Sequence, residues 1–408
     1  ISINLSMKTS RRDFIRYSSL ASASMFLPQF LKASGNLIGD AARPKVLVVI
    51  QFSGGNDGLN CIIPYGNDLY QKARPKIGYK KEEVIKLSDD IGMNTSLQGL
   101  ADLYFNGDVV LINSVGYPNP NRSHFRSMDI WQSGSDENVY LPTGWLGRVM
   151  DSTCDNKDCA KPHFAVELDD SLSLALKGNY MSGFAMRDPK QLSQVNQNPF
   201  IDSIARQQLN FEDDHHNVAY LHKILADTAE STDYLTEVSK KYTNNAVYPV
   251  NEFSNQLKTI AQLIIAESNT SIYYVSLSGF DTHAGQKGQQ ERQLKVYADG
   301  LKAFCSDLKS KGKFKDTMIM TFSEFGRRVD ENASMGTDHG TANNVYLISG
   351  GLKQGGMIND MADLANLQDG DLIHQVDFRS VYSTLLNKWL NVDAQKILNG
   401  SYPMLDCL

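Results

Sequence analysis

Along the chain, unbroken apolar runs alternate with stretches in which apolar residues recur every three or four positions. The clearest run is Lys45-Val46-Leu47-Val48-Val49-Ile50-Gln51-Phe52. A β-branched run without polar alternation predicts a strand covered on both faces. Runs at Val109–Asn113, Phe164–Leu168, Ile272–Leu277, Thr317–Phe322 and Asn344–Ile348 predict further strands. Phe253, Leu257, Ile260, Ala261 and Ile264 share one stripe of a helix, and Leu294, Tyr297, Ala298, Leu301, Cys305 and Leu308 share another. Asp377 is placed to cap a helix carrying Val381, Leu385 and Trp389. Strands alternating with helices predict an α/β fold: a doubly wound, mostly parallel sheet with helices on both faces.

The stretch from about 170 to 250 breaks this pattern. It is rich in Asn, Gln, Asp and Ser, with helical signals at Asp202–Asn210 and Val218–Lys241. It reads as a helical insertion or cap on the sheet. No apolar run reaches the roughly 20 residues of a membrane span.

The amino terminus reads as a segment outside the fold. The first Met is Met7, so Ile1–Ser6 are expected to precede the natural start. Arg11-Arg12, then Phe14, then a mild apolar stretch from Tyr17 to Leu31, resemble a twin-arginine export signal. Cleavage is expected between Ala33 and Ala42. Residues 1–42 are thus signal and linker, and 43–408 a single domain. Residues 1–34 carry a net charge of +4, so their removal takes the chain from −6 to −10. An acidic chain argues against a dedicated nucleic-acid binder. Export by the Tat translocon implies a periplasmic or extracellular destination. That route carries folded proteins, which favours a site already loaded with metal or cofactor. Of the five cysteines, Cys154 and Cys159 are spaced to bridge a short loop in an oxidising compartment. Cys305 lies on an apolar stripe. The odd count leaves a free thiol, and no cysteine is assigned to catalysis.

In open parallel sheets, ligands bind beyond the carboxyl ends of the strands. The unusual polar residues fall there. Ser53-Gly54-Gly55-Asn56-Asp57-Gly58 follows the first strand, and Gly279-Phe280-Asp281-Thr282-His283 follows the run at 272–277. Ser323-Glu324-Phe325-Gly326-Arg327-Arg328 follows 317–322, and Gly336-Thr337-Asp338-His339-Gly340 precedes Asn344. A loop after 109–113 leads to Asn121-Arg122-Ser123-His124-Phe125. Carboxylates with imidazoles are the ligand set of zinc, manganese or iron. Asp57, Asp281, His283, Asp338 and His339 are the candidates for one or two ions. Two ions can clamp a phosphoryl or sulfuryl ester and activate a hydroxyl. Ser123 is that hydroxyl if it begins the following helix, where free N–H groups favour an anion.

Each motif alone has a plainer reading. Gly54–Gly58 is an ordinary turn, Asp281-Thr282-His283 a capped loop, and Glu324 with its arginines a surface ion pair. His215 and His216 sit in an acidic, solvated run, and His163 and His222 read as structural. It is the recurrence at successive strand ends that points to a site.

These segments, with Thr143-Gly144-Trp145-Leu146-Gly147-Arg148 and Asp377-Phe378-Arg379-Ser380-Val381-Tyr382, resemble the bacterial DUF1501 family. That family in turn resembles a distant branch of the alkaline phosphatase and sulfatase superfamily. The resemblance implies an alkaline phosphatase-like fold with a two-metal site. Its ligand order maps onto Asp57, Ser123 as nucleophile, Asp281 with His283, Asp338-His339, and a final His374. Three departures stand out: only Thr282 separates Asp281 from His283, Asp57 follows its strand by several residues where the superfamily's Asp sits at the strand end, and no motif surrounds His374. Ser114 and Thr282 are alternative hydroxyls.

Two readings follow. The first is an exported metal-dependent hydrolase of a phosphate or sulfate ester, acting on a small-molecule or glycan ester. Asp57, Asp338 and His339 hold one divalent ion (zinc, manganese or other), and Asp281 and His283 a second. Ser123 attacks, while Glu324 and Arg327 orient ligands or substrate. The second is a catalytically silent binding or scaffold protein of the cell envelope with the same fold. An acyl-transfer esterase ranks below both, because Ser123 lacks a Gly-x-Ser-x-Gly elbow.

Overall fold

The computed structural model describes residues 45–153, 161–188 and 216–408, without the side chains of 216–225. The expected export signal, the Cys154–Cys159 pair and the helix expected at Asp202–Asn210 lie outside the described residues. Lys45–Leu408 form one compact unit.

The apolar runs become the strands of one sheet. They are β1 (Val46–Ser53), β2 (Val109–Gly116), β3 (Ala165–Glu167), β4 (Phe184–Ala185), β5 (Ile272–Ser278), β6 (Thr317–Ser323), β7 (Asn343–Ile348), β8 (Gly356–Met357) and β9 (Val376–Asp377). The order across the sheet is β8-β2-β7-β6-β1-β5-β3-β4, with β9 also pairing β2. β1 lies at the centre, parallel to both β5 and β6. β7 runs antiparallel to both its neighbours. This reversal matters for the site. It brings the amino end of β7 to the edge where β1, β5 and β6 end.

Alternation along β1 divides the core. Val46, Val48, Ile50 and Phe52 face one helical layer, while Leu47 and Val49 face the other. The first layer holds α1 (Gln98–Phe105), α5 (Glu252–Ile265) and α6 (Gln286–Ser310). The second holds α2 (His124–Ser133), α3 (Trp145–Ser152) and α7 (Phe378–Thr384). The sheet is thus α/β and mostly parallel, with helices on both faces. Asp377 caps α7 as its position predicts, accepting the Arg379 N–H.

Among the described residues of the 170–250 region, helix and strand both occur. α4 (His216–Lys241) occupies the expected second helix. However, Phe184–Ala185 extends the sheet as β4, because β3 presents an open edge there. The Met186 N–H also bonds the Glu167 carbonyl at 2.9 Å.

Candidate metal centre

The loops at this sheet edge meet through backbone-to-backbone contacts that exclude side chains. Gly54 has φ +120°, and a Cβ there would lie 2.4 Å from the Asp281 nitrogen. A Cβ on Gly336 would lie 2.3 Å from the His283 carbonyl carbon. Glycine is required at both points by space, and at Gly54 by conformation as well.

Three imidazoles gather around one carboxylate. His124, Asp281 and His339 offer ligand atoms that all lie within 4.8 Å of one another. His124 Nε2 is 3.6 Å from Asp281 Oδ2. His339 Nε2 is 3.3 Å from Asp281 Oδ1. His283 approaches the same pair, with Nε2 3.1 Å from Asp281 Oδ1 and 2.9 Å from His339 Nε2.

In each ring the other nitrogen has an oxygen partner. His124 Nδ1 is 2.9 Å from Glu324 Oε1, His283 Nδ1 3.2 Å from Asp338 Oδ1, and His339 Nδ1 2.8 Å from the Arg122 carbonyl. These acceptors assign the proton to Nδ1 and leave the Nε2 lone pairs facing inward. Such outer oxygens are what fix histidine ligands around a metal. His124 Nε2 is buried and has no hydrogen-bond partner. Two inward lone pairs 2.9 Å apart, as in His283 and His339, repel unless a cation or proton lies between them. The donor set of two imidazoles and a carboxylate from His124, His339 and Asp281, with His283 at its border, therefore fits a divalent ion such as zinc.

Electrostatics agrees with this geometry. Burial works to raise the Asp281 carboxyl, but Arg327 at 2.7 Å, with His339 and His283, holds it below its ordinary value. The Glu324 hydrogen bond raises His124, and burial lowers His339. The His283 bond lowers Asp338.

Arg327 is fully buried. It donates to the carbonyls of Gly54, Gly55, Phe280 and Thr337 and to Asp281. It ties four loop segments together and aims Asp281. Glu324, also buried, accepts from the Gly54 N–H at 2.8 Å and from His124.

The structure thus brings together Asp281, His283 and His339. It leaves Asp338 one layer out, as the partner of His283 Nδ1. Asp57 does not reach the imidazoles. Its carboxylate is paired with buried Arg74 at 2.6 Å and accepts from Gln286. Gln286 in turn accepts from Thr282 and Thr337, so Asp57 braces the ligand loops from beneath. His374 also stands apart, on a neighbouring cleft. The mutually close donors are His124, Asp281 and His339, and His283 borders them with Asp338 behind it. Ser123 caps α2, is exposed, and makes no side-chain bond to the helix. Thr282 is buried and donates to Gln286. Ser114 is buried at φ 49° with no partner for its hydroxyl.

His124 is the candidate ligand that sequence reasoning missed. It lies in the Ser123-His124-Phe125 segment, but its partner Glu324 is 200 positions away. The available signal was that this segment, like the other clusters, follows a strand end.

Residues 108–399 match a family described as "Protein of unknown function (DUF1501)". No curated protein matches the chain. Among solved structures, the chain is similar to a protein in the alkaline phosphatase superfamily from Vibrio parahaemolyticus, with 11% identity over 88% of this chain and 69% of that one, and a TM-score of 0.41. It is similar to PsFucS1 sulfatase from Pseudoalteromonas sp., with 13% identity over 95% and 74% and a TM-score of 0.39. It is also similar to the phosphonate monoester hydrolase SpPMH from Silicibacter pomeroyi, with 10% identity over 88% and 76% and a TM-score of 0.37.

Proposed function

For this chain, which belongs to the DUF1501 family, we propose the activity of an exported, metal-dependent hydrolase of phosphate or sulfate esters. One observation carries the reading. Three imidazole Nε2 atoms converge on Asp281 while every Nδ1 is held by an oxygen. A silent scaffold has no need for inward-facing lone pairs in such proximity, so the convergence favours the enzyme over the envelope binding protein.

A divalent ion held by His124, Asp281 and His339, with His283 beside them, would supply a Lewis acid for the ester oxygens. The chain's own residues supply the rest. Glu324, Asp338 and the Arg122 carbonyl fix the rings, and Arg327 holds the carboxylate. Ser123 is the hydroxyl we assign to attack. It is exposed, is free of capping duty and adjoins His124 in the chain. The N–H groups that open α2 favour an anionic group beside it. Export to the periplasm or beyond through the Tat translocon rests on the twin-arginine segment.

The test is turnover of 4-nitrophenyl phosphate and 4-nitrophenyl sulfate by the metal-reconstituted protein, beside Ser123→Ala. Turnover lost in the variant supports the reading. A folded, metal-loaded protein inert on these and on a panel of natural phosphate and sulfate esters would overturn it.

A further inference from the structure

Two arginines at the edge of the imidazole cluster keep donors that the fold does not use. Arg74, Arg126, Arg148, Arg327 and Arg379 each donate from two or three side-chain nitrogens. Among the described residues, Arg122 donates from Nη2 alone, to Asp371, and Arg328 from no side-chain nitrogen. Their side chains are 40% and 38% exposed, and no nitrogen of Arg328 is closed off from solvent. The unused N–H groups are therefore within reach of a ligand.

Both guanidiniums are anchored. They take opposite oxygens of the buried Asp371: Arg122 Nη2 bonds Oδ2, and Arg328 Nε lies 3.9 Å from Oδ1. Asp371 stands on the hairpin Leu367–Leu372, whose turn also lies against Arg328. A Cβ on Gly370 would come 3.3 Å from Arg328 Nη1. Both backbones are tied to the candidate centre. The Arg122 carbonyl holds His339 Nδ1, and the Arg328 N–H donates to the Asp338 carbonyl at 3.0 Å.

Arg122 and Asp371 line a cleft of 470 Å³, together with Tyr117, Phe325 and His374. That volume falls within the roughly 300–1,000 Å³ typical of small-molecule sites. The ring nitrogens of His374 are accessible and have no partner among the described residues. Charge decides what this place takes. Two guanidiniums face one carboxylate within pairing distance. Asp369, the other carboxylate of the lining, is exposed and pairs with neither among the described residues. A guanidinium fork matches the paired oxygens of a carboxylate, phosphate or sulfate. Neither guanidinium bonds the side chains of His124, Asp281, His283 or His339, so the oxyanion held here stands apart from one held at the imidazoles.

Resting on the hydrolase reading above, we propose that Arg122 and Arg328 bind a second oxyanion, carried on the alcohol part of the ester. The alcohol part lies in the cleft, and its own carboxylate, sulfate or phosphate seats on the two guanidiniums. The substrate class is then an ester of an acidic alcohol rather than of a neutral one.

Saturation-transfer NMR on the metal-free full chain tests this with D-gluconate, D-glucose 6-phosphate and D-glucose 6-sulfate, against the neutral D-sorbitol and D-glucose. Leaving the metal out keeps the anions from binding to it. At least one anion should saturate, the neutral pair should not, and the tightest anion identifies the group. Arg328→Gln removes no hydrogen bond of the fold, so its effect reads binding alone. It should weaken anion binding about tenfold, through loss of a charge-assisted contact. Arg122→Gln should do the same, with circular dichroism checking that Asp371 without its partner leaves the chain folded. Equal binding of D-gluconate and D-sorbitol, anion binding unchanged in Arg328→Gln, or no binding by any anion would overturn the site. Anion binding by a chain that takes up no metal, or that takes it up and hydrolyses no ester, would sink the hydrolase reading and leave the oxyanion site standing.

Discussion

Glu324 Oε1 lies 2.9 Å from His124 Nδ1, and the same oxygen accepts the Gly54 N–H at 2.8 Å. One buried carboxylate therefore locks the first loop of the sheet to the first residue of α2. It also decides which nitrogen of His124 faces Asp281. Glu324→Gln keeps an acceptor but removes the charge. Outer-shell substitutions of this kind cost about 10–100-fold in metal affinity. A chelator competition titration should show that loss with the fold intact. Unchanged affinity would mean that Glu324 serves only the Gly54 turn.

Asp57 behaves as a structural group in this arrangement. Its partner Arg74 is wholly buried. Asp57→Ala strands that guanidinium, and breaking a buried pair costs about 3–5 kcal/mol. Denaturant unfolding should register the loss, while the folded fraction still binds metal. An equally stable variant that has lost its metal would return Asp57 to the ligand set.

Gly54→Ala forces a Cβ to within 2.4 Å of the Asp281 nitrogen at a φ of +120°. Neither the backbone nor the contact can yield cheaply. The expected cost is about 2–4 kcal/mol, together with weaker metal binding as Asp281 is pushed aside. A variant with wild-type melting temperature and metal affinity would contradict the close approach of these loops.

Glu167, at the end of β3, is pushed by burial from its ordinary 4.5 up to about 7. The folded state therefore holds a proton that the unfolded chain has already lost. Stability falls as pH rises from about 4.5 to 7 and levels off above. The full effect is on the order of 3 kcal/mol, at about 1.4 kcal/mol per unit. Glu167→Gln should flatten this decline in a series of thermal melts and make the protein more stable than wild type at pH 8. Parallel pH profiles in the two proteins would rule the assignment out.

The strands of the sheet were legible because β-branched runs such as Val46–Ile50 have no other good home. The direction of β7 was not legible from its own residues. The only hint was that the Gly336–Asn343 cluster precedes its strand where the others follow theirs. Asp281, His283 and His339 stood out as polar groups beside glycines at strand ends. Asp57 looked the same from the sequence. What separates it is Arg74, 17 residues on, whose burial depends on the folded chain. His124 was obscured by the opposite effect: an ordinary-looking helix start becomes a candidate ligand only through Glu324 and Asp281, both more than 150 positions away. Local chemistry announces donors, and tertiary contacts decide which way they face.

The most direct test of the central claim is the metal content of the purified full chain, by elemental analysis, beside Asp281→Ala and His339→Ala. The account predicts one equivalent of a divalent ion in the wild type and loss in both variants, with circular dichroism unchanged. A folded wild type that takes up no zinc, manganese or iron on reconstitution, or variants that keep a full equivalent, would contradict it.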